Sequence, residues 1–127
     1  MRNRITMSAS PEQINEQLIE LQCRSNFRIK NITEYMLPKS KEAIYLHIEG
    51  GQAKLVLRPA LEVFSDDFNN IDGVSRIAGF FHSSEMTRFP TRIFKSTNPI
   101  HYGIGFKMNS VAGAKEFITQ LVKIING

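Results

Sequence analysis

The chain has 127 residues, 42% of them hydrophobic, and carries a net charge of +4. That length suits one domain burying about two-thirds of its unfolded surface, and a single cysteine, Cys23, excludes an internal disulfide. No apolar run approaches the roughly 20 residues of a membrane span, and the basic start MRNRITMSAS lacks the apolar stretch of a secretion signal. With its one unpaired thiol, the chain is expected in the reducing cytoplasm.

Residues 1–9 read as a flexible tail, with Met7 an alternative start, and 10–127 as one domain. Ser10-Pro11-Glu12-Gln13 opens a helix: Ser10 caps, Pro11 suits the first position and Gln13 completes a capping box. Ile14, Leu18, Leu21 and Ile19 give it an apolar face over about residues 10–23. Phe27-Arg28-Ile29-Lys30 alternates, which predicts one strand running to Ile32, and Pro38 to Lys41 forms a loop.

The segment Ala43 to Leu57, AIYLHIEGGQAKLVL, predicts a β-hairpin and its register. Gly50-Gly51 supplies the positive φ angles of a two-residue turn. Glu49 then pairs with Gln52, Ile48 with Ala53, His47 with Lys54, Leu46 with Leu55, Tyr45 with Val56 and Ile44 with Leu57. One face is wholly apolar; the other, with Tyr45, His47, Glu49, Gln52, Lys54 and Val56, is mostly polar. A slip of one residue would exchange the faces, so the pattern itself checks the register.

Pro59 ends the second strand. Ser65 to Gly73 is turn-rich and acidic and reads as an exposed loop. Val74, Ile77, Phe80 and Phe81 fit a short helix or a strand equally. Thr91 to Lys95 and His101 to Met108 are strand candidates, and Asn109 or Ser110 caps a last helix with Ala114, Phe117, Ile118, Leu121, Val122 and Ile125 as its apolar stripe. The expected fold class is α+β. A single antiparallel sheet of about five strands is packed by N- and C-terminal helices, ordered α-β-β-β-(irregular or short α)-β-β-α.

Several segments resemble the YgaC-like family of small bacterial proteins. They are Leu57-Arg58-Pro59-Ala60-Leu61-Glu62 after the hairpin, Phe89-Pro90 before the fourth strand, and His101-Tyr102-Gly103-Ile104 with Phe106 before the last helix. The resemblance runs from about residue 10 to 126, with a longer acidic middle and extra N-terminal residues here. It implies a fold related to the N-terminal domain of the TfoX competence regulators and, in layout, to type III secretion chaperones. It implies no catalytic residues, and it favours a binding or regulatory role.

Charge is unevenly distributed. Residues 1–41 hold seven basic and four acidic groups, 42–87 three and seven, and 88–127 six and one, for nets of +3, −4 and +5. Both ends can therefore build a basic face. Arg58, Arg88, Arg92, Lys95 and Lys107, with Phe89 and Phe94 between them, are candidates for a sheet surface meeting single-stranded nucleic acid. Their alternative role is to guard strand edges against mispairing.

His101-Tyr102-Gly103-Ile104-Gly105-Phe106 offers an imidazole and a phenol beside glycines that permit close approach. The alternative is a bulged strand whose glycines admit the last helix. Gly103-x-Gly105 lacks the third glycine of a dinucleotide fingerprint, so no cofactor is implied. His47, His82 and His101 match no zinc spacing, so no metal is implied. Cys23 reads as packing, or as a thiolate favoured by Arg24.

Three functions follow, in order. The first is a non-catalytic adaptor domain that binds a protein, or a second copy of itself, through a sheet face or edge. The second is nucleic-acid binding on a basic sheet face. The third is a small enzyme centred on His101 and Tyr102. The candidate functional surface is Arg58, Arg92, His101, Tyr102 and Lys107; no membrane partner is expected.

Overall fold

The computed structural model describes residues 9–95 and 97–127, so the tail expected at 1–9 lies outside the described residues except for Ala9. Ala9, expected in the tail, is buried and its amide donates to Asn109 O at 3.2 Å, so it packs with the folded residues that follow.

The fold is α+β, with an open antiparallel sheet of eight strands among the described residues in place of the five expected. Helix α1 spans Pro11–Glu20, with the Ser10–Gln13 capping box formed in both directions. Its buried residues are Ile14 and Leu18, whereas Ile19 projects outward with 56% of its surface exposed. Strands β1 (Arg24–Ile29) and β2 (Ile32–Met36) replace the single strand expected to run from Phe27 to Ile32. Lys30-Asn31 turns the chain between them, with Lys30 at φ 54°.

Strands β3 (Ala43–Glu49) and β4 (Gln52–Leu57) form the predicted hairpin. Its five pairs from Glu49–Gln52 to Tyr45–Val56 are in the expected register, and Gly50 and Gly51 both take positive φ. Pro59 does end β4, and it opens a 3-10 helix, Pro59–Phe64, followed by α2, Ser65–Asn69. Of the acidic stretch expected as a loop, Ser65–Asn69 is thus helical, with Phe68 anchored in the core, while residues 70–73 do form turns. The short helix entertained at Val74–Phe81 does not form. Strand β5 (Val74–Arg76) and strand β6 (Phe81–His82) stand there instead.

Strand β7 (Thr91–Ile93) and the ten-residue β8 (Pro99–Met108) follow, then α3 (Val111–Asn126), capped by Ser110 through Gly113 N–H. The sheet runs β1-β2-β3-β4-β8-β5, and β6 and β7 also pair with β8 nearer its start. Gly105 O accepts from Ile77 and His101 O from Ser83 along one edge of β8, while Tyr102 N donates to Pro90 O along the other.

Helices α1 and α3 cover one face of the sheet, as expected. Ile44, Leu46, Leu55, Leu57, Ile104 and Phe106 pack there with Ile14, Leu18, Phe117 and Leu121. The opposite face is not the open polar surface the hairpin pattern predicts. Tyr45 and Val56 are fully buried under residues 86–89 in a second cluster with Ile32, Met86 and Phe89. Burying Met86 and Phe89 supplies about 2 kcal/mol each, so the insertion holds to the sheet by packing.

Gly103 makes this second layer possible. A Cβ there would lie 2.4 Å from Leu57 O and 2.9 Å from the Phe89 ring, so the glycine admits the 86–89 segment and β4, not the last helix. At Gly105 the nearest atom would be the flexible Ile77 Cδ1 at 3.3 Å. Gly103→Ala should therefore cost about 3 kcal/mol by overpacking. Gly105→Ala should be within about 1 kcal/mol of neutral, since the lost chain entropy of glycine offsets a small shift. Urea midpoints of the two variants check this, and equal midpoints would remove the packing role from Gly103.

Candidate functional site

Side chains alternate across a strand, and this separates the candidate residues. Tyr102 shares the helix-side face with Ile104 and Phe106, while His101 and Lys107 share the opposite face with Val56 and Phe89. The imidazole–phenol pair expected at His101 and Tyr102 is therefore not assembled. His101 Nδ1 lies 2.7 Å from Phe89 O, and Tyr102 faces Phe80 and Arg92. Lys107 sits between Lys54 and Ser75, about 20 Å along β8 from His101. Arg58 leaves β4 beside Glu42, whose carboxylate oxygens accept from its Nε at 2.8 and 3.0 Å. The five residues make no single surface.

Around Arg92 and Tyr102 a different set comes together. Beyond Ile104 the helices no longer bury the sheet, and Tyr102 is only half-buried. The Arg92 guanidinium lies 4.7 Å from the centre of the Phe80 ring, 5.1 Å from Tyr102 and 5.9 Å from Phe94. Its Nε donates to His82 Nε2 at 2.9 Å. His82 stacks on Phe94 at 3.7 Å and 6°, and Lys95 Nζ lies 5.1 Å from the same ring. Cation–ring contacts of this kind add about 0.5–1 kcal/mol each at exposed sites.

Burial, then the charges of Arg92 and Lys95, lower the His82 pKa, so at neutral pH the imidazole is uncharged and free to accept from Arg92. Arg92 thus keeps its full charge over the rings. Phe80 and His82 were not singled out by their own sequence neighbourhoods. They reach Tyr102 through the β6–β8 pairing, which joins residues about 20 apart.

Charges on the opposite face are more deeply set. The Glu34 carboxylate is 2% exposed. It accepts from Tyr45 Oη at 2.6 Å, Asn26 Nδ2 at 2.7 Å and Arg88 Nε at 3.1 Å, and Tyr45 Oη in turn accepts from Arg88 N. Asn26 falls at the register shift between Ser25 and Phe27, where a bulge re-aims a side chain. Burial works to raise the Glu34 pKa, but the hydrogen bonds from Tyr45, Asn26 and Arg88 outweigh it and hold the carboxyl below its ordinary value. Burial and donation to Glu34 push Tyr45 up to about 12.

The three histidines lie apart, His47 against Phe81, His82 against Phe94 and His101 at Phe89 O. No group of three or more His, Cys, Asp or Glu among the described residues is placed to hold a metal ion. Cys23 is buried, and burial raises its pKa to about 11, the reverse of a thiolate favoured by Arg24. No helix among the described residues is long and apolar enough to cross a membrane. In comparisons with known proteins, the chain matches no family model and no curated sequence.

Because the folded pKa of Glu34 lies below its unfolded value near 4.3, its stabilisation is complete above that value and is lost as pH falls through the folded pKa. Glu34→Gln should cost about 2 kcal/mol at pH 7. That deficit should shrink as both proteins are taken towards about pH 3. Urea midpoints across this range check it; a deficit independent of pH would show that Glu34 acts through shape and not charge.

Proposed function

We propose that this protein is a non-enzymatic binding module that takes single-stranded nucleic acid at the Phe80–His82–Arg92–Phe94–Tyr102 cluster. The observation that carries the reading is one exposed guanidinium spread over three aromatic rings, with Lys95 beside it. Bases stack on such rings whatever their sequence, and the cations meet the phosphates. The +5 net charge of residues 88–127 favours the same polyanion.

A second reading, a protein-binding adaptor that can pair with its own copy, draws on Phe80 and Ile93. Phe80, against Arg92, keeps 37% of its surface exposed, and Ile93, which follows Arg92 in β7, keeps 61%. Aromatic and Arg residues are enriched at interface centres. Membership of the YgaC-like family belongs to this proposal too, resting on the resemblance of the segments at 57–62, 89–90 and 101–106. The cytoplasmic location is supported by the lone, buried Cys23.

Fluorescence anisotropy with a labelled unstructured oligonucleotide, at about 50 mM and about 200 mM salt, tests the first reading. Affinity should fall with salt by about 0.7 log units per log unit of salt for each phosphate engaged. Phe94→Ala should weaken binding about 10-fold, the loss of one stacked base. Binding that ignores salt, or that is unchanged in both Phe94→Ala and Arg92→Gln, would overturn it. Sedimentation then separates the second reading: a dimer abolished by Ile93→Lys supports a protein interface.

A further inference from the structure

We propose that the concavity between Lys41, Arg58 and Arg88 binds a phosphate monoester or free phosphate dianion. It lies on the face opposite the helices, holds about 200 Å³, and is lined by Lys41, Glu42, Ala43, Arg58, Arg88 and Phe89. It is separate from the aromatic cluster around Arg92 and does not rest on the nucleic-acid reading.

Two guanidiniums on its wall are fixed in the same manner. Arg58 donates from Nε to Glu42, whose side chain is 9% exposed, and Arg88 donates from Nε to Glu34. Each pair uses only Nε. The terminal nitrogens of both arginines have no hydrogen-bond partner among the described residues. A guanidinium anchored at Nε presents its remaining donors as a fork, the geometry that tetrahedral and planar oxyanions accept in pairs.

The wall behind them is also held. Phe89 meets the Tyr45 ring edge-on at 4.9 Å, and its carbonyl contacts His101 Nδ1. Little side-chain entropy remains to be lost when an anion docks. Lys41, exposed to solvent, adds a third cation.

Charge decides the ligand class. Three cations stand against the two carboxylates that anchor the arginines, leaving a net of one positive charge from Lys41, Arg58, Arg88, Glu42 and Glu34. A site with so small a net charge selects by donor geometry more than by long-range attraction, which favours a compact ion with several acceptor oxygens. The volume is below the roughly 300–1,000 Å³ of drug-sized pockets, so a phosphate group fits with only a small part of its carrier. The larger concavity by Asn109 and Ser110 is lined by no cation, and the one between Phe64 and Lys123 by Lys123 alone.

Inorganic phosphate, titrated into the full chain at constant ionic strength and followed by amide NMR shifts, tests the site. Saturable shifts should centre on Lys41, Ala43, Arg88 and Phe89, with chloride producing none. Lys41→Gln leaves both ion pairs intact and should weaken binding about 3-fold; Arg58→Lys, which keeps the charge and loses the fork, should weaken it about 10-fold. Lys95→Gln should change nothing at this site. Shifts spread evenly over surface cations, or unchanged affinity in both Lys41→Gln and Arg58→Lys, would overturn the proposal. A 5′-mononucleotide or a phosphoserine peptide binding more tightly than phosphate supports a monoester and identifies its carrier, while equal binding supports the free ion. Oligonucleotide affinity in Lys41→Gln should stay at the parent value, which keeps this result distinct from the cluster at Arg92.

Discussion

The length of β8 sets the rest of the architecture. Ten residues at about 3.3 Å each reach roughly 33 Å, whereas its partner β4, with six, reaches about 20 Å. The first half of β8 therefore overhangs the hairpin, and its half-buried backbone groups are left without partners from β4. Short strands supply them, β7 on the edge that β4 leaves and β6 on the edge that β5 leaves. Recruiting those two strands brings the intervening residues 83–90 across the sheet. The second layer is thus a consequence of satisfying one long strand.

Packing and charge divide the labour in that layer. Met86 and Phe89 are buried to 0% and 5% exposure, and together contribute about 4 kcal/mol. The Arg88–Glu34 pair contributes less, because the arginine side chain is 54% exposed and solvent screens it. Its effect is positional. A buried carboxylate with Tyr45, Asn26 and Arg88 as donors tolerates few other arrangements, so it fixes where the segment lands after apolar burial has brought it down.

This division also explains what the sequence made legible. The hairpin register was readable because paired glycines and strict alternation agree, and α1 and α3 because caps and apolar spacing agree. The β1–β2 turn was not, since Lys30 takes a positive φ without glycine to announce it. Tyr45 and Val56 looked like members of a solvent face because their cover comes from about 40 and about 30 residues further along. Arg92 and Tyr102 were picked out individually, but their union needed the β6–β8 and β7–β8 pairings. The separation of His101 from Tyr102 was available in principle: neighbours on a strand point to opposite faces.

The two exposed cationic regions differ in the partner given to the arginine Nε. Arg92 donates to an imidazole kept neutral, so its charge is undiminished and its planar face is taken up by rings. Arg58 and Arg88 donate to carboxylates, so much of their charge is compensated while their terminal nitrogens bond no other described residue. An uncompensated cation over π faces suits an extended polyanion carrying aromatic bases. Compensated forks suit a small oxyanion, whose recognition depends on several short hydrogen bonds more than on long-range field. Giving the arginines different Nε partners therefore lets one small sheet, with a modest net charge, present two chemically distinct cationic surfaces on its opposite faces.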